Sequence, residues 1–423
     1  MSKQYACLEC GDAPISHRSA RFTDQTAKII AKLPLSQQLN TLALKIGAQI
    51  RSNRTFLSFA KNLLERLVSI GMVTKASLPN SSHSTRTLAL YEGAKATNVT
   101  LIQYKLGSAT LCYCAEKNDG SGRMIFFLLI PRPLGYNYEP VEWMDDKGIL
   151  KKRLADAGLP HAPGGTADSF EQALHVFKSL GSSVVVKPHE GSRGRHTTLD
   201  VRTPEELKRA VEIAFEVTTE VVIEKYLKGI VHRVSLAGGE PVAVARREYP
   251  HVIGDGTHTL DELISLENQK PYRDGSFFKP LDREYRVQET LNKQGKGLTL
   301  LSIPKKGEKV ILSDKNSRLH GTLTEDVTDT VHPENMKLFR RLAEVLDDPV
   351  VGVDFMCADV SKPWHEDASF GFLECNSMPF IDVHHRVVSG KTINVAAYVW
   401  DAVFPPLPGD TPHKEYLLDR TFA

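Results

Sequence analysis

The chain has 423 residues, 41% of them hydrophobic, which is enough for two or three globular domains with substantial cores. Its 53 basic and 51 acidic residues leave a net charge of only +2, so charge gives no case for nucleic acid or an anionic membrane surface as a partner. No stretch approaches the ~20 apolar residues that span a bilayer, and the N-terminal segment lacks the apolar core of a signal peptide, so we expect a cytoplasmic protein.

The six cysteines are too few for a disulfide scaffold in a chain of this size. Cys7-x2-Cys10 has a spacing that zinc sites use, and either His17 or the pair Cys112 and Cys114 could add further ligands. Because this ligand set is incomplete in the sequence, reduced thiols are the alternative interpretation.

The first part of the chain is predicted to be helical. From residue 24 to about 76 the apolar residues recur at helical spacing, which predicts helices in an N-terminal region, residues 1–85. The polar segment LPNSSHSTR marks a boundary. Residues 86–144 contain a helix-like LALYEGAKA and three short strand-like segments, which predict a small α/β lobe. The N-terminal helices are candidates for substrate selection or for homo-oligomer formation.

The remainder of the chain alternates helices and strands. DDKGILKKRLADAGL predicts an amphipathic helix, and in TPEELKRAVEIAFEV we expect Thr203 to cap a helix that has Pro204 at its first position. Strands are predicted in SSVVVKP, EVVIEKYL, HRVSLAGGEPVAVARRE, VVGVDFMCAD and SFGFLECN, and a last helix ends before Pro405. Because these strands also form antiparallel hairpins, the pattern indicates an α+β enzyme of several lobes rather than a doubly wound sheet.

A lysine and a glycine-rich loop follow one of the apolar strands, in VVVKPHEGSRGRHTTL. Lys187 ends the strand, and Gly191 and Gly194 allow a turn whose backbone N–H groups can approach a ligand closely. The loop matches neither GxxxxGK[ST] nor a GxGxxG that opens a helix. It is predicted to join two strands of a hairpin, and by itself it fits either a solvated lysine or a phosphate-binding loop.

The strand FGFLECN carries two oxygen-bearing side chains. Alternation along a strand places Phe370, Phe372, Glu374 and Asn376 on one face and the intervening residues on the other. A carboxylate and an amide oxygen on one face of a strand can both reach a metal ion. The alternative is that Glu374 faces solvent.

A second acid interrupts the apolar strand VVGVDFM. Asp354 lies between Val353 and Phe355, and a lone acid in such a strand is costly unless it is paired or coordinates a cation. Hard cations prefer carboxylate and amide oxygens and often share them with the phosphates of a nucleotide. The alternative is that Asp354 caps a turn.

The order of these segments resembles the ATP-grasp superfamily of ADP-forming carboxylate-amine ligases. The segments are a DK pair that opens a helix, KP at a strand end, the glycine loop, EKYL, VDF and LECN, and the most specific stretch is HVIGDGTHTLDELI. From about residue 88 to 408 the chain is most similar to the ATP-grasp domain of cyanophycin synthetase and of the bifunctional glutathione synthases. The resemblance implies an ATP-grasp fold in residues 145–408, with two α+β lobes that clasp ATP, and a C-terminal tail in residues 409–423.

The resemblance also implies a set of site residues. The nucleotide-binding residues would be Lys147, Lys187, Gly191, Ser192, Gly194, Glu224, Lys225 and Leu227. The ligands of the magnesium ions, of which the family implies two, would be Asp354, Glu374 and Asn376. The catalytic residues, which would meet phosphoryl and tetrahedral charge, would be Arg233 and Arg247. With this set present, the phosphate interpretation of Lys187 and the glycine loop is favoured.

Three positions depart from the family pattern. Val231 stands where an acid would bind the ribose, and Gly352 stands where D-alanine-D-alanine ligases carry an arginine. The segment NSMPF lacks the glycine of the family's frequent NxxPG. The chain therefore lacks the usual acid for the ribose contact, whereas Gly352 favours the cyanophycin-like branch.

The function that the resemblance implies is ATP-dependent ligation of amino acids or short peptides through an acyl phosphate. A second ligase domain with its own phosphate loop would follow DAVFPP in a cyanophycin synthetase, and here the sequence ends soon after, so we expect a single ligation. The alternatives are a glutathione-synthase-like or D-alanine-type ligase, and an ATP-binding regulatory protein without activity.

Overall fold

The computed structural model of the protein describes residues 7, 9–10, 15–31, 53–80, 83–191, 194–283, 285–317, 320–407 and 415–419. In these ranges no helix combines the length and the apolar composition needed to cross a bilayer. The first two helices are α1 (His17–Ala31) and α2 (Arg54–Ser69). They confirm helices in the predicted N-terminal stretch, whose residues 32–52 lie outside the described part. The prediction is wrong for the end of that stretch, because Thr74–Ala76 form a strand that pairs with Gln103–Lys105. Much of the predicted C-terminal tail, including residues 409–414, also lies outside it.

The first sheet is antiparallel and has the order β1-β2-β3-β4. Its strands are β1 (Thr74–Ala76), β2 (Val99–Leu106), β3 (Ala109–Lys117) and β4 (Met124–Phe127). Helix α3 (Thr85–Ala96) packs on this sheet and begins at Ser84, whose hydroxyl accepts a hydrogen bond from the backbone N–H of Thr87. The predicted helix and three strands of this lobe are confirmed.

Two short helices lead to the second sheet, which is also antiparallel and has the order β5-β8-β6-β7. The helices are α4 (Glu139–Met144) and α5 (Lys147–Asp156), and two further helices, α6 (Phe170–Leu180) and α7 (Pro204–Phe215), pack on the sheet. The strands are β5 (Gly164–Ala167), β6 (Val184–Pro188), β7 (Thr198–Val201) and β8 (Val221–Lys225). Thr203 caps α7 in a capping box with Glu206, as predicted.

The third sheet has the order β13-β10-β9-β14-β15, with every neighbouring pair antiparallel. Its strands are β9 (Ile230–Ala237), β10 (Glu240–Glu248), β13 (Leu323–Asp326), β14 (Val350–Cys357) and β15 (Gly371–Asn376). Between β10 and β13 the chain forms a small unit of two strands and two helices. These are β11 (His251–Ile253), β12 (Lys309–Ile311), α8 (Leu260–Asn268) and α9 (Tyr285–Lys293).

Two more helices cover the third sheet. Helix α10 (Pro333–Leu346) packs Phe339 and Leu342 onto the apolar face of β14. Helix α11 (Val395–Val403) shares a core with α3 and the first sheet, and the indole N–H of its buried Trp400 donates to the carbonyl of Leu90 at 2.8 Å. The first lobe and the third sheet are therefore joined by a common apolar core. The α+β class with antiparallel hairpins is confirmed.

Candidate active site

Residues from the second and third sheets line one cavity of about 540 Å³. Twelve of the thirteen predicted site residues are in its wall: Lys147, Lys187, Gly191, Gly194, Glu224, Lys225, Leu227, Arg233, Arg247, Asp354, Glu374 and Asn376. Ser192 lies outside the described residues. Residues that are separated by more than 200 positions in the chain thus meet at one place, which is the expectation for a ligand site between lobes.

One group of residues in the cavity wall, here called the lysine end, consists of Lys147, Lys187 and Glu224, together with Lys151, which does not line the cavity but forms an ion pair with Glu224. The carboxylate of Glu224 is buried and forms two ion pairs, one from Oε1 to the Lys187 ammonium at 2.6 Å and one from Oε2 to the Lys151 ammonium at 2.5 Å. Burial opposes the charge of Glu224, but these two lysines outweigh it and lower its pKa to about 2. Glu224 therefore holds both ammonium groups in place and remains ionised.

Lys147 completes the lysine end at the start of α5. The helix is capped by Asp146, whose Oδ1 accepts from the N–H groups of Gly148 and Ile149. The buried Lys147 ammonium donates to the carbonyl of His189 at 2.7 Å, and burial followed by the charge of Lys187 lowers its pKa. Three lysines against one carboxylate leave an excess of positive charge beside a helix N-terminus, which is an arrangement that favours phosphate.

The glycine loop leads away from this end. Strands β6 and β7 pair as an antiparallel hairpin, with Val184 opposite Val201 and Val186 opposite Thr198, which confirms the predicted hairpin. Gly194 has a φ of +66°, a left-handed conformation that glycine adopts without the steric cost of a side chain. Gly191 and Gly194 both lie in the cavity wall, as do Lys147 and Lys187.

The middle of the cavity has an apolar wall. Leu227, Val231 and Met356 form a small buried cluster with Ala162, and Leu373 packs against it. Val231, which replaces the expected ribose-binding acid, is thus part of this apolar surface. Such a wall beside the strand end at β8 suits a planar, weakly polar ring.

A second group of residues in the cavity wall, here called the acid end, consists of Asp354, Glu374 and Asn376 with Arg233 and Arg247. Arg233 binds Asp354 through two hydrogen bonds, Nε to Oδ1 at 2.5 Å and Nη2 to Oδ2 at 2.9 Å, and both side chains are buried. The second arginine, Arg247, has its Nη1 3.7 Å from Asp354 Oδ2. Burial opposes the charge of Asp354, but Arg233 and Arg247 outweigh burial and hold its pKa below the usual range.

Glu374 lies directly opposite Asp354 across β14 and β15, and the two carboxyl groups share a hydrogen bond. Burial and the negative charge of Asp354 raise the pKa of Glu374, while Lys187 and Lys147 oppose that shift. Two adjacent buried carboxyl groups therefore disfavour the state in which both are ionised.

A β-bulge decides which residues of β15 reach the cavity. Glu374 pairs with Asp354, whereas Phe372 pairs with Phe355, so Leu373 is the extra residue. The prediction that the phenylalanines share a face with Glu374 is therefore wrong, because strict alternation fails at a bulge. The hydrophobic core under α10 contains both aromatic residues, Phe370 and Phe372.

Gly352 provides space for the arginine. A Cβ at this position would lie 2.4 Å from Nη1 of Arg233 and 2.8 Å from Cβ of Pro379. The neighbouring Asn376 donates from its amide to the carbonyl of Gly352 at 3.4 Å, which holds this side chain at the cavity wall. The arginine that reaches Asp354 therefore comes from the adjacent strand β9, and glycine at 352 permits its approach.

The donor set at the acid end fits Mg²⁺, which prefers carboxylate and amide oxygens. Asp354 and Glu374 lie opposite each other, so a divalent cation between them would relieve the repulsion between the two carboxylates. The arginine leaves acceptor sites of Asp354 available for a metal ion. A carboxylate has about four lone-pair sites, and the hydrogen bonds from Arg233 occupy two of them.

Sequence reasoning missed several residues in the wall or in contact with it. Lys151 carries a sequence signal, since it lies four positions after Lys147 and thus on the same face of α5. Lys315 and Asn316 carry none: Lys315 Nζ donates to the carbonyl of Thr197 at 2.6 Å, and Asn316 exchanges hydrogen bonds with Arg247 at 2.8 and 3.1 Å. They reach the cavity only through the fold of the segment after β12.

Comparison with known proteins bears on this geometry. Residues 146–234 match the family model described as the carbamoyl-phosphate synthase L chain, ATP binding domain. The chain is 37% identical over 273 residues to the cyanophycin synthetase of Crocosphaera subtropica, which covers 63% of this chain and 31% of that relative. It is 32% identical over 270 residues to the glutathione biosynthesis bifunctional protein of Mannheimia succiniciproducens, which covers 62% of this chain and 36% of that relative.

A solved structure agrees with these matches. The bifunctional glutathione synthetase from Pasteurella multocida has a TM-score of 0.52 and 27% identity over 76% of this chain and 43% of that chain. The chain spans about a third of the length of the two curated relatives. The family match at residues 146–234 coincides with the lysine end and the glycine loop. The chain therefore carries an ATP-grasp domain homologous to those of cyanophycin synthetases and bifunctional glutathione synthetases.

Proposed function

We propose that the protein is an ATP-dependent, ADP-forming ligase that joins a carboxylate to an amine, with amino acids or short peptides as substrates. The observation that carries the proposal is one cavity with an excess of lysine charge at one end and a buried pair of carboxyl groups at the other. A nucleotide triphosphate bound with magnesium needs both ends. The names of the relatives support amide-bond formation as the class of reaction.

In this proposal the lysine end binds the phosphates. Lys147 and Lys187 offer ammonium groups to the phosphate oxygens, and Glu224 fixes the position of Lys187. The glycine loop closes over them and excludes water, which would otherwise hydrolyse an acyl phosphate. The transfer of the γ-phosphoryl group to a substrate carboxylate then depends mainly on positioning and charge.

The acid end is proposed to hold magnesium through Asp354, Glu374 and Asn376. Bound Mg²⁺ would neutralise charge on the β- and γ-phosphates. Arg233 is a positioning residue, because both its hydrogen bonds hold Asp354. Arg247 is the candidate to stabilise the tetrahedral oxyanion that forms when the amine attacks, since its guanidinium lies at the cavity wall and its side chain is 17% exposed.

A cytoplasmic location is part of the proposal. A cytoplasmic location agrees with the use of ATP and with six free thiols. The apolar wall around Leu227 and Val231 is proposed to hold the adenine, so this protein would orient its nucleotide by packing where relatives use an acid for the ribose.

The test is ADP release by the purified protein with MgATP against pools of amino acids and dipeptides, with mass spectrometry of the products. Turnover that requires both a carboxylate and an amine, and yields a product lighter by one water than the two substrates, supports the proposal. Preference for a glutathione-type or D-alanine-type acceptor pool would refine the substrate class. MgATP binding without turnover in any pool would contradict the ligase and indicate a nucleotide-binding regulatory role.

A further inference from the structure

Four metal-ligating side chains meet outside the active site. They are Cys7, Cys10 and His17 of the N-terminal region and His196 of the segment between the glycine loop and β7. Each offers one ligand atom, and all four atoms lie within 4.8 Å of one another. His196 is fully buried and Cys10 is 4% exposed, so this is an interior cluster. The sequence alone could not supply the fourth residue, which is 179 positions away from His17 in the chain.

The distances are those of a tetrahedral zinc site. Bonds of about 2.3 Å to sulfur and about 2.0 Å to nitrogen place neighbouring sulfur and nitrogen ligands roughly 3.5 Å apart. Cys10 Sγ lies 3.3 Å from His17 Nε2 and 3.5 Å from His196 Nε2, and Cys7 Sγ lies 3.8 Å from His196 Nε2. The four ligand atoms therefore surround a volume of the size that one zinc ion needs.

Both histidines are oriented by other groups through their Nδ1 atoms. Nδ1 of His196 lies 2.9 Å from the carbonyl oxygen of Ile213 and 3.6 Å from the carboxylate of Glu216. Nδ1 of His17 lies 3.4 Å from that same carboxylate. A zinc-binding histidine usually donates its second ring N–H to a carbonyl or a carboxylate in this way, which directs the other ring nitrogen at the metal.

The backbone conformation of His196 is further evidence that these residues form a binding site. Its φ is +50°, a left-handed conformation that is uncommon for a residue with a side chain. Such a conformation persists when the surrounding contacts determine it, and outliers of this kind concentrate at functional sites. Here the conformation directs the imidazole of His196 to the two cysteines.

We propose that Cys7, Cys10, His17 and His196 bind one structural zinc ion. The set of two thiolates and two imidazoles is complete with four ligands, so the site is closed and leaves no position for a reacting water. Binding converts both thiols to thiolates and releases their two protons to solvent. Cys112 and Cys114, the alternative partners in the sequence, lie on β3 and do not belong to the cluster.

The proposed zinc ion would tie the N-terminal region to the active site. His196 lies two residues after Gly194 and between Arg195 and Thr197, all three of which line the cavity, so the metal would hold this part of the cavity wall. Glu9, between the two cysteines, lies 3.3 Å from the ammonium of Lys315, which also donates to the carbonyl of Thr197. Zinc would therefore stabilise the loop through His196, and Lys315 would connect the zinc-binding turn to the wall of the cavity.

The test is metal analysis of the full-length protein without an affinity tag, purified under reducing conditions and measured by plasma mass spectrometry. We expect one zinc per chain, and less than a tenth of that in Cys10→Ser and His196→Asn. Cys112→Ser is the matched control, because it removes a half-buried thiol outside the cluster and should keep the full zinc content. Co²⁺ in place of zinc should give the thiolate charge-transfer and ligand-field bands of a tetrahedral site.

A second measurement uses the wild-type chain and therefore does not depend on whether the variants fold. Removal of zinc from the wild-type chain with a chelator should speed amide hydrogen exchange in residues 194–201 at least tenfold and leave β14 unchanged. The proposal is overturned if the reduced wild-type protein takes up neither zinc nor Co²⁺. It is equally overturned if Cys10→Ser retains a full equivalent of zinc. Neither readout requires ligase activity, so a failure here is distinct from a failure of the proposed function.

Discussion

The lysine end and the acid end of the cavity differ in how their buried carboxyl groups are stabilised. At the lysine end one carboxylate, Glu224, serves Lys151 and Lys187 and remains fully ionised. At the acid end two carboxyl groups lie side by side, and the pKa of Asp354 is lowered while that of Glu374 is raised. The lysine end thus has positive charge in excess, and the acid end has two carboxyl groups whose mutual repulsion a cation can relieve.

This difference explains why a single pocket can accept a nucleotide together with a metal ion. An anion gains from the lysine end without further change, because the ammonium groups are already held in position. A divalent cation gains at the acid end because it removes the repulsion between Asp354 and Glu374. The predictions that follow perturb one end at a time.

The largest effect is expected at the acid end. Glu374→Gln removes a proposed metal ligand and should lower the rate of ADP formation about 1,000-fold, which corresponds to about 4 kcal/mol of transition-state stabilisation. The effect is measured from initial rates of ADP release by Glu374→Gln and by wild type with saturating MgATP. Glu366→Gln, in the exposed turn between β14 and β15, is the control and should retain wild-type rates. A Glu374→Gln rate within threefold of wild type would contradict the metal assignment.

The next effect concerns the lysine end. Lys187→Met removes an ammonium group that is held by Glu224 and should lower kcat/KM for ATP about 100-fold, the cost of losing one positioned charge donor. The exposed Lys178 on α6 provides the matched variant Lys178→Met, which should change kcat/KM less than twofold. If the two variants behave alike, the lysine end does not bind the phosphates.

A third comparison uses one glycine from each end. Gly352→Ala would place a Cβ 2.4 Å from Arg233 and should lower the free energy of unfolding by about 1–3 kcal/mol, the usual cost of overpacking. At the lysine end, Gly148→Ala meets its nearest atom, Asp146 Oδ1, at 3.3 Å and should change that free energy by less than about 1 kcal/mol. Urea denaturation of both variants measures these changes in the free energy of unfolding. Equal decreases in the two variants would show that Arg233 is not tightly packed.

The smallest effect is a pH dependence of stability. Burial lowers the pKa of His384 at the acid end to about 3, whereas a hydrogen bond to Asp146 raises the pKa of His189 at the lysine end. Below about pH 6.5 the unfolded chain therefore binds a proton that folded His384 does not, and stability falls by up to about 1.4 kcal/mol per pH unit. Denaturation of His384→Asn between about pH 4.5 and 6 should show a shallower slope.

His189 should behave in the opposite sense. Its raised pKa stabilises the fold fully below the unfolded pKa, and that contribution disappears as the pH rises through the folded pKa. The free energy of unfolding of His189→Asn should therefore be lower than that of wild type near about pH 6 and equal to it near about pH 9. A loss that is equal at both pH values would mean that the imidazole acts only through packing.

The sequence predicted the elements that local patterns determine. Thr203, Pro204 and Glu206 together specify the start of α7, because the cap satisfies backbone N–H groups that have no partner within the helix. The hairpin of β6 and β7 followed from β-branched residues on both sides of a glycine loop. Alternation placed Asp354 correctly on the cavity side of β14, with Val353 in the core.

Alternation failed on β15, and the reason is physical. The bulge at Leu373 arises from pairing with β14, so no pattern within the strand reveals it. Similarly, Lys315 and Asn316 carry no motif, and their place in the cavity wall depends on the fold of a distant segment.

By itself the sequence determined the α+β class and the order of the elements, because local propensity is a property of the chain. The resemblance of its motifs to the ATP-grasp superfamily supplied the twelve site residues that line the cavity. Only the tertiary structure decided which charges meet: Glu224 with two lysines, Asp354 with Arg233, and His196 with Cys7, Cys10 and His17. These contacts join residues up to 189 positions apart, and ion pairs and metal ligation depend on distances in space that no local pattern contains.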